Sequence, residues 1–369
     1  MKLMKTTEAV GQVLCHDITQ IIPGVKKDAV FRKGHIITKE DIPVLLSVGK
    51  DTIYIWENDE TMMHENEAAE VLYRMSACGT NSIEADAKRH CDDTDSGVFG
   101  GTVSKMHPSP VKEGKIEVIA DCDGLLKVDS EKLKKVNSFG EMMIATRHGN
   151  TTVKKGDKLA GTRIIPLVIK KDKLKEASNI CEDGPILDIK PFVVRKAAII
   201  TTGNEVYHGR IQDAFTPVIE KKIAEFGAQM MFHEVFDDDD KKITDGCLRA
   251  IEAGAEIVFC TGGMSVDPDD KTPLAIKNTG ARIVSYGSPV LPGAMFLLSY
   301  YDAGDRLVPI CGLPGCAMYN KRTIFDIVLP RLMARDMIYA DELAGLGEGG
   351  LCLNCDVCTF PNCGFGKGF

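Results

Sequence analysis

The hydrophobic pattern of the first half of the chain changes near residue 80. Ahead of that point, apolar side chains recur at helical spacing, as in a predicted helix around Glu65–Met75. Beyond it, short alternating runs such as Lys115–Ile119 are separated by glycine turns, which is typical of β-strands. The pattern predicts an N-terminal α+β segment over residues 1–79, a small β-rich domain over residues 80–185, and a linker at residues 180–191.

From residue 192 onward, wholly apolar runs alternate with amphipathic helical patterns. The runs Ala197–Thr201 and Glu256–Cys260 predict buried strands, and Lys241–Glu252 places its apolar residues on one helical face. A closing apolar stretch predicts a helix over Ala317–Met333. This alternation predicts a doubly wound α/β domain with a mostly parallel sheet over residues 192–335. Such sheets bind ligands beyond the carboxyl ends of their strands.

Three of the predicted strands end in loops of small residues: Thr201–Glu205, Thr261–Ser265 and Gly312–Gly315. Glycine lets a backbone approach a ligand closely, and clustered N–H groups can cradle a phosphate or another oxyanion. The hydroxyl groups of Thr202, Thr261 and Ser265 add donors. Tight strand-to-helix turns explain one such loop equally well, but three in one domain favour an anion-binding site.

Carboxylates accompany these loops. Asp213 stands just ahead of a predicted helix, and Asp267, Asp269 and Asp270 follow the double glycine. A carboxylate beside an anion site repels the ligand unless a divalent cation lies between them. The acids therefore predict Mg²⁺ on a phosphorylated substrate, or acid/base chemistry. Helix capping accounts for Asp213 and one later acid equally well, but not for three acids within four residues.

Four motifs closely resemble, in their order along the chain, those of one known domain: Thr202–Glu205, Gly209–Asp213, Thr261–Thr272 and Leu313–Gly315. The domain is the molybdopterin-binding domain of molybdopterin molybdotransferases (molybdenum insertases), of molybdopterin adenylyltransferases and of competence-damage proteins. The resemblance covers about residues 195–335, and the spacing from Ser265 to Asp270 is most similar to the molybdotransferase branch.

The resemblance implies a function in molybdenum-cofactor biosynthesis, with molybdopterin or its adenylate and molybdate as ligands. A protein of the molybdotransferase kind uses Mg²⁺ and inserts molybdate into the dithiolene with release of AMP. By matching position, Asp213 and Asp270 are the implied catalytic acids, and Asp267 joins Asp270 in holding the cation. The implied binding residues are Thr202, Gly203, Glu205, Thr261, Gly262, Gly263, Ser265, Pro314 and Gly315.

The chain also departs from the molybdotransferase pattern. The turn Leu291–Met295 lacks the lysine of the family's Pro-Gly-Lys-Pro-like turn, and Cys316 replaces the asparagine usual after Leu-Pro-Gly. A family segment that normally sits shortly before the binding domain resembles residues 31–55, near the N-terminus. Two alternatives therefore stay open: a noncatalytic molybdopterin sensor or delivery protein, and hydrolysis of a nucleotide phosphate ester as in the competence-damage relatives.

Four of the thirteen cysteines fall close together near the C-terminus, with the spacing C-x₂-C-x₂-C-x₄-C: Cys352, Cys355, Cys358 and Cys363. Four thiolates in such a short stretch can surround one metal centre. The spacing is close to that of iron–sulfur proteins, and structural zinc is equally compatible with four sulfur ligands. Residues 336–369 are therefore predicted to be a metal-binding tail, with a flexible reduced tail as the alternative.

Composition excludes several classes of protein. The 369 residues are 44% hydrophobic and 27% charged, which excludes a largely disordered chain. A net charge of -8 argues against nonspecific nucleic-acid binding. No run approaches the ~20 apolar residues of a membrane helix, and no apolar signal core follows Met1, so we expect a cytoplasmic protein without membrane contact. The resemblance to the molybdopterin-binding domain further implies a homodimer that docks to a molybdoenzyme or another cofactor-biosynthesis protein.

Overall fold

The computed structural model describes residues 2–22, 26–55, 59–78, 105–265, 267 and 270–368. Contacts group the chain into two compact units. Unit 1 comprises Met1–Asp121, Val128–Arg147 and Lys155–Asp188, and unit 2 comprises Cys122–Lys127, His148–Lys154 and Ile189–Phe369. Asp269 and the first 25 residues of the predicted β-rich domain, 80–104, lie outside the described residues. The four-part division made from the sequence stays a prediction.

The helices and strands up to residue 190 are, in chain order, β1 Lys2–Lys5, β2 Ile18–Ile22, β3 Lys26–Phe31, α1 Asp41–Ser47, β4 Thr52–Ile55, β5 Met62–His64, α2 Glu65–Ala77, β6 Met106–Pro108, β7 Lys115–Ala120, β8 Gly124–Val128, α3 Ser130–Ser138, β9 Met142–Thr146, β10 Thr151–Val153, β11 Lys158–Ile164, β12 Val168–Lys170, α4 Lys171–Asn179 and β13 Leu187–Lys190. None of the helices in the described residues is both long and apolar enough to cross a membrane.

Unit 1 is built around an antiparallel sheet with strand order β6-β7-β11-β9. Helix α2 packs against β7 and β11, and its Leu72 and Met75 are fully buried. Helices α3 and α4 were not predicted from the sequence. Asp129 caps the start of helix α3. Its carboxylate accepts a hydrogen bond from the Lys132 N–H at 2.9 Å, which is a standard helix-capping arrangement. Strand β13 lies in the segment predicted as a linker.

The remaining elements are β14 Lys196–Thr202, α5 Asn204–Tyr207, α6 Phe215–Ala224, β15 Gln229–Phe236, α7 Asp240–Glu252, β16 Ile257–Thr261, α8 Thr272–Asn278, β17 Arg282–Tyr286, β18 Leu297–Asp302, β19 Leu307–Leu313, α9 Ile324–Met333 and α10 Ala340–Gly345.

Unit 2 has a six-stranded sheet with order β15-β14-β16-β19-β18-β17. The first four of these strands are parallel, and β18 runs antiparallel to both of its neighbours. The predicted mostly parallel sheet is confirmed.

Helices cover both faces of this six-stranded sheet. In β14, Ala197 and Ile199 belong to a core cluster that includes residues of α6 and α9, whereas Ala198 and Ile200 belong to a second cluster with residues of α7 and α8. Because successive side chains of a strand point to opposite faces, the fully apolar run of β14 is what a strand buried on both faces requires. The domain is therefore doubly wound, as the sequence predicts.

The closing helix is shorter than the prediction of Ala317–Met333. Gly315–Ala317 forms a 3-10 turn, and α9 begins only at Ile324. A capping box fixes that start: the Thr323 hydroxyl oxygen accepts from the Phe325 N–H at 3.2 Å, and the Thr323 N–H donates to Asp326 at 2.8 Å. The predicted helix start at Ala317 was wrong. The apolar pattern already begins there, but the capping residue Thr323 sets the start of the helix at Ile324.

Residues after 335 pack onto the sheet face that carries α6 and α9. Ile338, Leu343 and Phe365 are buried in that core cluster. The Gly366 N–H donates to the Gly349 carbonyl oxygen at 3.0 Å, which closes residues 349–366 into a loop. We call these residues the cysteine loop, since they contain Cys352, Cys355, Cys358 and Cys363.

Candidate functional site

The three small-residue loops lie side by side at one edge of the six-stranded sheet. Strands β14, β16 and β19 are neighbours and parallel, with Thr201 opposite Thr261 and Thr261 opposite Leu313. Their carboxyl ends therefore meet at the same edge, where a doubly wound sheet binds its ligand. We call residues 202–205, 261–265 and 313–315 the edge loops. The structure brings together all three loops that the sequence singles out.

Two glycines allow the edge loops to pack closely on each other. Gly262 has a φ of +83°, and a Cβ added there would lie 2.1 Å from the carbonyl oxygen of Thr202. At Gly263, with a φ of +53°, a Cβ would lie 2.8 Å from the hydroxyl oxygen of Thr272. Both positions therefore need glycine for the fold itself. A Cβ at Gly315 would meet no heavy atom within 4 Å, so that backbone is open on one side.

Replacing Gly262 with alanine is expected to lower the free energy of unfolding by about 2–3 kcal/mol, because the left-handed backbone and the crowded Cβ both oppose it. Urea unfolding of the full chain measures the change. Gly315→Ala serves as the matched control and should shift stability by less than about 0.5 kcal/mol. Equal losses for the two variants would contradict the close packing at Gly262.

The threonine hydroxyls of the edge loops lie between the loops rather than at the solvent-exposed surface. Thr202 Oγ1 donates to the Thr261 carbonyl oxygen at 3.1 Å and lies 3.0 Å from Thr272 Oγ1. Thr261 Oγ1 is buried and has no hydrogen-bond partner within the part of the chain that the structure describes. Ser265 is exposed, so of the three predicted donors its hydroxyl is the accessible one.

Asp213 is the centre of a polar cluster below the first edge loop. Its Oδ1 accepts from the N–H groups of Phe215 at 2.8 Å and Thr216 at 3.2 Å, at the start of α6. Its Oδ2 accepts from the hydroxyls of Thr201 at 2.9 Å and Thr216 at 2.6 Å, and His233 Nε2 lies 3.5 Å away. Both carboxylate oxygens are thus already engaged, so Asp213 is poorly suited to be a metal ligand.

These contacts also determine the charge of Asp213. Partial burial alone raises the pKa of its carboxyl, but the hydrogen bonds from Thr216, Thr201 and Phe215 outweigh burial and lower the pKa below its ordinary value. Asp213 therefore stays ionised at neutral pH. His233 was missed in the sequence analysis, since no motif contains it and β15, which carries it, was not predicted.

Asp267 and Asp270 lie in the loop that follows the double glycine. The Asp270 N–H donates to the Asp267 carbonyl oxygen at 3.0 Å. Asp267 is exposed and Asp270 is half-buried. Burial, together with the negative charge of Asp270, raises the pKa of Tyr286, whose hydroxyl donates to the Met264 carbonyl oxygen at 3.4 Å. Tyr286 is a second site neighbour that no motif indicated.

The carboxylates of this loop are better suited to bind Mg²⁺ than the carboxylate of Asp213 is. Mg²⁺ in proteins is commonly held by one or two carboxylates together with the phosphate oxygens of the substrate, and Asp267 and Asp270 can supply the carboxylates. Within the described ranges, no three His, Cys, Asp or Glu side chains are grouped tightly enough to hold an ion by themselves. A cation here therefore needs ligands from a bound phosphate or water in addition to the protein.

The remaining predicted site residues belong to the outer parts of the edge loops. Gly203 has a φ of +133°, and a Cβ there would lie 3.2 Å from the Glu205 carboxylate. Pro314 and Gly315 follow β19 and enter the 3-10 turn. The cysteine loop contributes no residue to these edge loops, although Lys321, six residues beyond Gly315, donates to the carbonyl oxygen of Asp356 at 3.3 Å.

A doubly wound α/β domain with three crowded loops at the carboxyl edge of its parallel strands has the general layout of a ligand-binding domain. In a comparison with known proteins, residues 198–334 match the family described as "Probable molybdopterin binding domain". The matched region lies within unit 2 and includes all three edge loops. Residues 3–57 match a separate family, described as "Domain of unknown function (DUF8806)".

Curated relatives match a limited part of this chain. A molybdopterin molybdenumtransferase of Staphylococcus epidermidis is 26% identical over 159 residues, which cover 41% of this chain and 38% of that protein. A "Putative competence-damage inducible protein" of Bacillus velezensis is 29% identical over 90 residues, which cover 24% of this chain and 21% of that protein. The chain spans between 20% and 38% of the length of the curated relatives it matches.

Solved structures similar to unit 2 have low sequence identity. The tungsten cofactor synthesizing protein MoaB from Pyrococcus furiosus is 18% identical, with a TM-score of 0.30, over 38% of this chain and 89% of that one. The molybdopterin biosynthesis Mog protein from Mycobacterium ulcerans is also 18% identical, with a TM-score of 0.30, over 41% of this chain and 99% of that one.

Proposed function

We propose that this chain is a molybdotransferase-like enzyme that binds adenylylated molybdopterin at the edge loops and assists Mg²⁺-dependent insertion of molybdate. The observation that carries the proposal is the convergence of the three edge loops beside Asp267 and Asp270 in a domain of the molybdopterin-binding family. Molybdopterin or its adenylate and molybdate are the proposed ligands. Homodimer formation, docking to a molybdoenzyme and a cytoplasmic location remain predictions.

The phosphate groups of the ligand are proposed to bind where the loop backbones are open. Gly315 leaves room on one side of the third loop, and the exposed Ser265 hydroxyl can donate from the second. Backbone N–H groups in such loops suit phosphate oxygens because they bring partial positive charge without a long side chain. The orphan hydroxyl of Thr261, at the end of β16, can supply a further polar contact beneath the ligand.

The acidic side chains have different roles in this proposal. Asp267 and Asp270 would hold Mg²⁺, which offsets the charge of the phosphate and makes AMP a better leaving group. Asp213 carries a permanent negative charge and fixes the start of α6 against the end of β14 through its hydrogen bonds. In this proposal Asp213 orients the first edge loop, while Asp270 faces the reacting phosphate.

One observation favours the noncatalytic alternative of a molybdopterin delivery protein. Asp213, one of the two implied catalytic acids, has both carboxylate oxygens occupied by hydrogen bonds within the protein. A carboxylate held in this way can stabilise the loop without taking part in a reaction. Binding without turnover would then be the function of the same edge loops.

An assay of the purified full chain tests the proposal. Molybdopterin adenylate, molybdate and Mg²⁺ are supplied, and AMP release and the total pterin-bound molybdenum, free and protein-bound, are measured together. Insertion predicts AMP and pterin-bound molybdenum in equal amounts over several turnovers. Stoichiometric binding without AMP release favours delivery, cleavage of simple nucleotides without pterin favours the hydrolase alternative, and absence of binding overturns the assignment of the edge loops as the ligand site.

A further inference from the structure

The cysteine loop has no part in the proposed pterin chemistry, yet it holds four of the thirteen cysteines of the chain. None of these four cysteines forms a disulfide within the described part of the chain. Cys352 and Cys363 are half-buried, and Cys355 and Cys358 are exposed. Two thiols near the core and two at the surface, within twelve residues, are available for one common ligand.

The cysteine loop is closed at its ends and has few buried apolar side chains between them. The Gly366–Gly349 hydrogen bond closes the loop, and Phe365 is buried in the main cluster of unit 2. Phe360 packs against the same cluster, whereas Leu353 and Val357 are each 78% exposed. A segment with so small an apolar core is commonly held in one conformation by a cross-link or a metal.

Positive charge lies close to the exposed thiols. Lys321 Nζ donates to the carbonyl oxygens of Cys355 at 3.5 Å and Asp356 at 3.3 Å. The Arg322 guanidinium lies over the Phe360 ring, 5.0 Å from its centroid, and pairs with Asp326 at 2.9 Å. Two cationic side chains thus lie beside the segment that carries Cys355 and Cys358.

From the spacing, the closed loop and its cationic surroundings, we propose that Cys352, Cys355, Cys358 and Cys363 bind one thiolate-ligated metal centre, either a zinc ion or an iron–sulfur cluster. Both take four sulfur ligands and leave a net negative charge that Lys321 and Arg322 can balance. The centre would lie beside Lys321, which contacts the backbone of Cys355 and Asp356.

Binding requires the four thiols to turn toward one another. No three His, Cys, Asp or Glu side chains in the described part of the chain are already close enough to share an ion. Because Cys355 and Cys358 are exposed, a change of their rotamers breaks no buried packing. The Gly349–Gly366 closure keeps all four cysteines within one loop while they do so.

Metal analysis of the full chain tests the proposal and distinguishes the two kinds of centre. One sample is incubated with Zn²⁺ alone, and another is reconstituted without oxygen with Fe³⁺, a thiol reductant and sulfide. Unbound metal is removed before elemental analysis and visible spectroscopy. We expect either about one zinc per chain, or about four irons per chain with a broad visible absorption band. Alkylation of the loop cysteines, followed by mass spectrometry, should slow markedly in the loaded protein.

The variant Cys355→Ser/Cys358→Ser should lose the bound metal and the protection from alkylation, while its thermal unfolding without added metal stays unchanged. Cys78→Ser, at an exposed cysteine of unit 1, is the control and should bind like the wild type. Retention of metal by the double variant, or failure of the wild type to retain metal in either sample, overturns the proposal. Neither result depends on pterin binding, so the outcome is independent of the proposed molybdotransferase function.

Discussion

Asp336→Asn is expected to lower the free energy of unfolding by about 3–5 kcal/mol, because it leaves several cations without their shared partner. Asp336 is only 5% exposed. Its carboxylate accepts from Lys190 Nζ at 2.6 Å, Lys127 Nζ at 2.9 Å and Arg331 Nε at 2.6 Å. The asparagine keeps the size of the side chain but not its charge, so the loss reports electrostatics rather than a cavity.

The same ion cluster predicts sensitivity to acid. Burial alone raises the pKa of Asp336, but Lys190, Lys127 and Arg331 together lower it to about 2. A carboxyl whose pKa is lower when folded contributes stability that is present above its unfolded pKa, near 4, and is lost as pH falls toward 2. The contribution is of order 2–3 kcal/mol. Burial also lowers the pKa of Lys127 despite Asp336, so part of the gain is offset there.

Urea unfolding at pH 7, 4 and 2.5 measures both effects. The wild type should lose stability between pH 4 and 2.5 more steeply than Asp336→Asn, whose curve lacks the Asp336 contribution. Asp305→Asn is the matched control, because its pair with Arg306 is exposed and should be worth less than about 1 kcal/mol. Parallel curves for the wild type and Asp336→Asn would contradict the role given to this carboxylate.

Local patterns sufficed to predict the elements that build the edge loops. Strands β14, β16 and β19 are buried on both faces, so their sequences are nearly all apolar and easily read. The glycines that follow them mark the loops, and the structure places those loops side by side. Strand order itself is a long-range property, but parallel strands that all end in loops can meet at only one edge.

The missed features depend on contacts between distant parts of the chain. Strand β15 mixes polar and apolar residues because it lies at the edge of the sheet, so its pattern resembled neither a buried strand nor a helix. His233 reaches Asp213 only because β15 pairs with β14, which places His233 opposite Ile199. The partners of Asp336 lie up to 209 residues away along the chain, and no local pattern connects them.

Asp270→Asn is expected to reduce Mg²⁺-dependent molybdate insertion by at least about 10²-fold, because it removes a charged ligand of the cation beside the reacting phosphate. Asp270 is half-buried and lies in a loop outside the helices and strands, so stability should change by less than about 0.5 kcal/mol. AMP release at saturating adenylate, measured over a range of Mg²⁺ concentrations, separates weaker cation binding from a lower maximal rate.

Two further variants test whether the loss of insertion activity is specific to the carboxylate of Asp270. Asp245→Asn removes an exposed carboxylate from α7 and should leave insertion unchanged. Asp213→Asn should lower both stability and activity, since its carboxylate accepts four hydrogen bonds that fix the start of α6. The proposed division of roles requires Asp270→Asn to lose activity without losing stability. Full activity in Asp270→Asn would show that the cation and the reacting phosphate do not bind beside the second edge loop.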